Sequence, residues 1–340
     1  MSPGVPVLKA AQAAMDNKTK PPGSLGQVES LAIQIATIQQ TLTPTVDPAR
    51  IIVFGADHGV AVEGVSAFPA AVTAQMMANF AAGGAAVCVL GKSACASFEV
   101  VDVGVSAELQ DLQGVVHAKV ANGTANLKLD AAMTHEQLDA ALQVGREAVV
   151  RASEEGVRCL GLGEMGIANT TSAAILTGLL CDATSEQVTG RGTGVNDETL
   201  TIKQSLVEQV MKRLSSLNDD PMELLRQAGG LEIAAIVGAI LEAPAHKMVV
   251  MVDGYIVTSA ALLACRGRPS VRDNLVFAHQ SAEPGHVIAL QHLKAMPLLQ
   301  LGMRLGEGSA TALALPVLRG AVAILNDMAS FADAGVSTAS

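Results

Sequence analysis

Two glutamates that stand inside glycine-rich turns are the residues of this sequence best suited to acid–base chemistry. The tripeptide Leu-Gly-Glu occurs at Leu162–Glu164 and again at Leu305–Glu307. Gly306 and Gly308 flank Glu307, so a ligand can approach its carboxylate closely. A carboxylate placed in this way can accept a proton from a reacting group. The alternative interpretation is a glutamate that only complements the dipole of the helix predicted to follow it.

One glycine-rich stretch has the spacing of a nucleotide-binding turn. Gly161, Gly163 and Gly166 spell GxGxxG between a predicted strand and a predicted helix. A dinucleotide site also needs an acidic residue at the end of the next strand. Asp182 instead lies at the end of a predicted helix, 16 positions after Gly166. An NAD-linked oxidoreductase is therefore the weaker interpretation, and a phosphate site at a helix N-terminus is the better one.

A second glycine-rich stretch, Gly190–Gly194, precedes a predicted helix that carries Lys203. Gly192 and Gly194 allow the main chain to approach an anion, and Lys203 can add positive charge. Asp197 either caps that helix or belongs to the site.

The histidines and cysteines are not spaced like metal ligands. None of the seven histidines belongs to an HExxH pair, and the five cysteines form no CxxC pair. We therefore predict neither a metal nor a cofactor. An odd number of cysteines without a framework is typical of reduced thiols in a cytosol. His58, in Asp57-His58-Gly59 after a predicted strand, is either a structural hydrogen-bonding residue or a catalytic one.

Short apolar runs alternate with helical periodicity along most of the chain, which predicts the elements that position these residues. The predicted strands are 51–54, 98–103, 157–160 and 248–252, with 275–278 and 298–301 as further candidates. The predicted helices are 25–40 (capped by a Ser24–Gln27 capping box), 70–82, 135–153, 170–180, 197–214, 255–264 and 309–332, the last interrupted at Pro316. This alternation predicts an α/β fold with a parallel, Rossmann-like sheet and flanking helices. The first and last helices lie outside it and are expected to form a small helical domain.

The composition excludes several classes of function. The chain has 340 residues, of which 50% are hydrophobic and 2% aromatic, and a net charge of −10. Few aromatic side chains and an acidic balance disfavour nucleic acid as a partner. We see no signal peptide and no uncharged apolar stretch of the length that a membrane span needs. The sequence thus predicts a cytoplasmic protein that does not associate with membranes.

Seven segments in order carry a resemblance to a known family. They are KPPGSLG (20–26), FGADHGVAVEGVSAFP (54–69), GEMGIANTTSAAI (163–175), GRGTGVND (190–197), VDGYIVTSAA (252–261), HQSAEPGH (279–286) and LGMRLGEGSATALALP (301–316). The chain resembles the nicotinate-nucleotide–dimethylbenzimidazole phosphoribosyltransferases, the CobT family of cobalamin biosynthesis, over nearly its whole length. Ala168 and Gly55 stand where the family often has Gly and Ala, and both changes exchange small residues.

The resemblance implies the transfer of phosphoribose from β-nicotinate mononucleotide to 5,6-dimethylbenzimidazole. The products would be α-ribazole 5′-phosphate, with inversion at C1′, and nicotinate. The family's catalytic glutamate falls on Glu307, and a second family glutamate, near the base pocket, falls on Glu164. The resemblance also implies a homodimer with a large α/β domain, predicted at 41–300, and a small helical domain built from 1–40 and 301–340 that contributes Glu307.

The predicted ligand contacts form two groups. The phosphate and ribose group comprises Gly161, Gly163, Gly166, Gly192, Gly194, Lys203, Asp253 and Ser281. Asp253, at the end of a predicted strand, has helix capping as its alternative role. The acceptor-base group comprises Ser66, Phe68, Gln75, Met76, Glu164, Leu305 and Leu315. Phe68 either stacks on the base or packs in the core, and a non-catalytic nucleotide-binding protein is the alternative from another class.

Overall fold

The computed structural model describes residues 5–337, and in this part of the chain six strands form one sheet. The strands are β1 (Ala49–Ala56), β2 (Ser97–Gly104), β3 (Val115–His117), β4 (Cys159–Met165), β5 (Val249–Val252) and β6 (Leu275–Phe277). All neighbouring pairs are parallel, in the order β3-β2-β1-β4-β5-β6. The predicted fold class is confirmed. The strand order reverses between β1 and β4, where a crevice opens at the carboxyl edge of such a sheet.

Helices flank both faces of the sheet. They are α1 (Val5–Asp16), α2 (Gln27–Gln39), α3 (Ala71–Ala81), α4 (Ala86–Ser93), α5 (His135–Glu154), α6 (Asn169–Cys181), α7 (Ser185–Val188), α8 (Asp197–Leu214), α9 (Pro221–Ala228), α10 (Leu231–Glu242), α11 (Tyr255–Gly267), α12 (Pro284–His292), α13 (Ser309–Asp327) and α14 (Phe331–Ala334). Short 3₁₀ helices lie at Gly59–Glu63, Ser215–Leu217, Ala243–His246 and Pro269–Asn274. The prediction did not include the strand β3 or the helices α1, α4, α7, α9, α10 and α12. The α10 helix is apolar on nearly all sides and buried, so its sequence lacks the amphipathic period that marks a surface helix.

The central strands are buried on both faces, as parallel strands covered by helices are. Every residue of β1 and of β4 is buried. In register, Val53 of β1 pairs with Val100 of β2 on one side and with Gly163 of β4 on the other. The predicted strand 157–160 lies at 159–165, so it extends into the GxGxxG sequence. Main-chain pairing with β1 and β5 decides this boundary, which local sequence does not.

The two ends of the described chain pack against each other and against one face of the sheet. Residues of α1, α2 and α13 share a core cluster with Val249 and Met251 of β5. The main-chain N–H of Thr19 donates to Ala329, and that of Phe331 donates to Asn17. The division at 40 and 301 stays a prediction, because these helices share their core with the sheet.

Three local predictions were wrong. Helix α2 begins without a Ser24 cap, because Glu29 accepts hydrogen bonds from the N–H groups of Gly23 and Leu25. The segment 298–301 is not a strand and makes only an isolated bridge, between Leu299 and His279. Helix α13 continues through Pro316, which lies on its exposed side.

Two segments are long and apolar enough to cross a membrane by length and composition alone, 71–93 and 309–327. The first consists of two helices, α3 and α4, separated by the turn 82–85. The second is α13, whose apolar side packs in the core of the protein.

Candidate active site

A cavity of about 590 Å³ opens at the carboxyl edge of the sheet. It is lined by residues from the segments 164–170, 192–193, 254–256, 281–283 and 304–307, with Phe68, Val72 and Met76 from the region of α3. The first of these segments begins at the end of β4, and the third and fourth lie in the chain that follows β5 and β6. The sheet topology thus places three loops around one space, as expected for open parallel sheets.

Glu307 lies on the wall of this cavity in a left-handed backbone conformation. Its φ is +63°, and Gly306 and Gly308 on either side have φ values of +81°. A left-handed glutamate is uncommon and is maintained only when its surroundings hold it in place. Asp253 supplies that support at the start of α13, since its carboxylate accepts the N–H groups of Gly308 at 3.1 Å and Ala310 at 2.7 Å. The predicted ribose role of Asp253 is thereby corrected to its alternative, a helix cap.

The Glu307 carboxyl has the environment of a proton acceptor. Its residue is only 7% exposed, and no group among residues 5–337 hydrogen-bonds to its carboxylate. Burial, and secondly the negative charge of Asp253, raise its pKa to about 7. The N-terminus of α13 favours the ionised carboxylate and so lowers this pKa, but the effect of burial is larger. A carboxyl with this pKa is half ionised near neutral pH, where a general base is most effective.

Glu164, at the end of β4, is a second buried carboxyl on the same cavity wall. Burial raises its pKa to about 8, although the side-chain amide of Asn169 donates a hydrogen bond to its Oε2. A β-carbon on Gly306 would lie 2.5 Å from Glu164 Oε1. Glycine at 306 therefore lets the loop that carries Glu307 pass directly over Glu164. Two carboxyls in one apolar space resist simultaneous ionisation, so one of them stays protonated more readily than the other.

The opposite part of the cavity is polar. Thr170, Gly192 and Ser281 line it, and Arg304 stands at its edge and donates to the carbonyl oxygen of Gly192 at 2.8 Å. Lys203, only 1% exposed, lies directly behind this wall and donates to Thr170 Oγ1 at 2.7 Å. Burial lowers the pKa of Lys203 to about 8, which leaves it mostly cationic at neutral pH.

The comparisons with known proteins agree on one family. A phosphoribosyltransferase family model matches residues 3–336. The nicotinate-nucleotide–dimethylbenzimidazole phosphoribosyltransferases of Pseudomonas putida (strain F1) and Cupriavidus necator are 46% and 47% identical to the chain, covering 96% and 97% of it and 93% and 95% of the relatives. The crystal structure of CobT from Thermus thermophilus superposes with a TM-score of 0.94 at 44% identity, covering 98% of this chain and 100% of that one. The chain belongs to the CobT family of phosphoribosyltransferases.

Within this CobT-family fold, the GxGxxG glycines do not form a phosphate loop. Gly161 and Gly163 are strand residues, and β-carbons there would lie 2.5 Å from Thr311 Oγ1 and 2.5 Å from the nitrogen of Gly308. Their role is to let the start of α13 pack against β4, so the predicted phosphate contacts at these two positions were wrong. A dinucleotide fingerprint needs these glycines after the strand, which also argues against the NAD interpretation.

The remaining predicted contacts divide between cavity and surroundings. Gly166, Gly192, Ser281, Phe68, Met76, Glu164 and Leu305 line the cavity, as does Glu307. Gly194 lies outside it, in the turn that its N–H closes on Arg191. Gln75 is exposed, and Leu315 lies on the buried side of α13. The hydroxyl oxygen of Ser66 lies 3.4 Å from that of Thr193. These three residues do not form the wall of the base pocket that was predicted for them.

Several cavity residues of this CobT-family chain were not predicted. Arg304, Glu283 and Asn169 line the cavity, and each lies inside a segment on which the family resemblance rests. Arg304 is the only basic residue of the segment 301–316, and its positive charge could have indicated an anion contact. Glu283 carries no such signal, because its function depends on the fold: its Oε1 accepts the N–H of Gly192 at 3.0 Å. In the described residues, no three His, Cys, Asp or Glu side chains form a group that could hold a metal ion.

Proposed function

We propose that this phosphoribosyltransferase moves phosphoribose from β-nicotinate mononucleotide to 5,6-dimethylbenzimidazole, with inversion at C1′. The products are α-ribazole 5′-phosphate and nicotinate, and the reaction belongs to the assembly of the nucleotide loop of cobalamin. The observation that carries this proposal is Glu307, a buried carboxyl on the cavity wall with a pKa of about 7 and no hydrogen-bond partner among the described residues. The names of the relatives support the choice of substrates.

The proposed step needs one base and no further reactant. Nicotinate is bonded to C1′ as a pyridinium and leaves with the electron pair of the C1′–N bond as neutral pyridine nitrogen. A ring nitrogen of the benzimidazole attacks C1′ from the opposite face, which turns the β configuration into α. As the new C–N bond forms, positive charge builds on the benzimidazole ring, and its other N–H becomes acidic. Glu307 accepts that proton.

The acceptor base occupies the apolar part of the cavity, against Phe68, Val72, Met76 and Leu305. Glu164 keeps its proton at neutral pH because burial raises its pKa to about 8. At neutral pH the base therefore meets Glu307, which is about half ionised, and Glu164, which is mostly neutral. This division lets Glu307 take the proton without the repulsion of a second charge.

The phosphate of the mononucleotide occupies the polar part of the cavity. The hydroxyls of Thr170 and Ser281 are available to an anion there. Lys203 supplies charge from behind Thr170, and Arg304 supplies it from the rim. Cations and main-chain amides are the groups that proteins commonly use for phosphate.

We further infer that the segments 1–40 and 301–340 form the helical domain that carries Glu307, and that the protein is a cytoplasmic homodimer. Two exposed apolar side chains support the dimer. Met296 is 66% exposed and Leu25 is 38% exposed, and Gln27, two residues after Leu25, donates a hydrogen bond to the carbonyl oxygen of Met296. The molar mass of the protein from light scattering should be twice that of one chain, and a single-chain mass would refute the dimer.

The test of the reaction is product analysis with purified protein and a mixture of candidate bases. Nicotinate and a new α-nucleoside phosphate should form, the anomer being identified by NMR. Glu307→Gln should bind the mononucleotide normally and turn over 10²–10⁴-fold more slowly, roughly the range for a positioned base. The exposed Glu198→Gln is the matched control and should retain full turnover. Binding of both ligands without any product would favour the non-catalytic alternative.

A further inference from the structure

A pair of buried titratable side chains lies behind the cavity and takes no part in the steps above. His58 Nε2 is 2.7 Å from Glu232 Oε1, and both side chains are 0% exposed. His58 follows the end of β1, and Glu232 lies in the first turn of α10. On the other side of the ring, Ser172 Oγ of α6 is 3.3 Å from His58 Nδ1.

Each nitrogen of the ring has a hydrogen-bond partner. Ser172 Oγ, which also lies 3.3 Å from the carbonyl oxygen of Gly229, contacts Nδ1, and Glu232 Oε1 contacts Nε2. The second oxygen of Glu232, Oε2, is buried without a hydrogen-bond partner in the described structure, so Glu232 depends on His58.

Glycines on both sides hold the pair directly against the cavity wall. A β-carbon on Gly166 would lie 3.2 Å from Glu232 Oε1 and 3.2 Å from His58 Cδ2. A β-carbon on Gly230 would lie 2.4 Å from His58 Cε1. Gly166 itself lines the cavity, two residues after Glu164. The last glycine of GxGxxG and the histidine of Asp57-His58-Gly59 therefore meet in one contact.

We propose that His58 and Glu232 are positioning residues, a hydrogen-bonded pair that supports the turn 164–169 from behind and holds Glu164 in place at the acceptor base. The proposal rests on the proposed function for the role of Glu164. Neither residue lines the cavity, so the pair acts through the contact of Gly166 with both side chains.

The test is Glu232→Gln, which keeps the shape of the side chain and replaces the carboxyl that contacts His58 with an amide. The KM for dimethylbenzimidazole should rise about tenfold, and the KM for nicotinate mononucleotide should stay within about twofold, because the pair supports only the base side of the cavity.

Ile236→Val, one turn along the same helix, is the control for loss of stability alone. Ile236 is fully buried, and the change should cost about 1 kcal/mol of stability without altering either KM. A Glu232→Gln enzyme that is only less stable, with both KM values unchanged, would overturn the proposal. Wild-type turnover in the same assay tests the proposed function separately, since its absence refutes the reaction whatever the variant does.

If Glu232→Gln does not fold, the contact can be tested in the wild-type protein. The pair packs against Gly166 of the cavity wall, so a base bound to that wall should change the ¹⁵N chemical shifts of the His58 ring. Saturation with dimethylbenzimidazole should therefore change these shifts, and nicotinate mononucleotide should leave them unchanged. Ring shifts that stay constant with dimethylbenzimidazole would refute the support.

Discussion

Acidification from pH 8 to pH 6 should slow this enzyme about tenfold by protonating Glu307. With a pKa of about 7, the ionised fraction of its carboxyl falls from about nine tenths at pH 8 to about one tenth at pH 6. A glutamate with the ordinary pKa of 4.5 would lose only about 3% of its ionised form over the same interval. The size of the decrease therefore measures the effect of burial on this one group.

The assay is kcat/KM for the acceptor base at saturating nicotinate mononucleotide and constant ionic strength, with nicotinate measured by chromatography. Rates are expressed per concentration of neutral base, so that protonation of the acceptor itself does not contribute. The Glu307→Gln enzyme should be slower by roughly 10²–10⁴-fold at pH 8 and should lose the acid limb. A wild-type profile that is flat from pH 6 to 8, or near-normal turnover of Glu307→Gln, would refute Glu307 as the base.

Four further predictions follow from the same geometry. Folding raises the pKa of Glu307 from 4.5 to about 7, so the free energy of unfolding falls as the pH rises through that interval. In urea unfolding, Glu307→Gln should therefore be more stable than the wild type by up to about 3 kcal/mol above pH 7, and equally stable below pH 4. Lys203→Met should raise the KM for the mononucleotide. In the wild type this KM should also rise above pH 8, where Lys203 loses its proton. Lys212 is exposed on the same helix, and Lys212→Met should leave both the KM and its pH dependence unchanged. Asp253→Ala should cost about 1–2 kcal/mol in thermal unfolding and lower kcat with little change in mononucleotide KM, whereas a selective loss of mononucleotide affinity would restore the ribose role. Phe68→Ala should raise the KM for the acceptor base about tenfold in steady-state assays, because the ring covers the base at the mouth of the cavity. An unchanged KM would show that Phe68 does not bind the base.

The glycines beside Glu307 were recognised in the sequence, but the reason that glycine is needed there was not. The pattern Gly306-Glu307-Gly308 indicated a close approach, and the structure adds that all three residues have positive φ. Glycine at 306 was interpreted as access for a ligand, yet the atom that approaches it is Glu164 Oε1. The residue types were informative, but the contacts that require them came from elsewhere in the chain.

The sequence by itself determined the alternation of strands and helices, the family, the position of Glu307 and three apolar residues of the cavity wall, Phe68, Met76 and Leu305. These properties are local, because an apolar period or an ordered set of short motifs can be recognised without knowing what lies next to it. Only the tertiary structure decided that Gly161 and Gly163 are strand residues packed on α13, that Asp253 is a cap, and that His58 meets Glu232 behind Gly166. Each of these depends on the parallel register of β1, β4 and β5, which brings together residues that lie far apart in the chain. Burial follows from that packing, and burial is what raises the pKa values of Glu164 and Glu307, so the protonation chemistry of the site is a property of the fold.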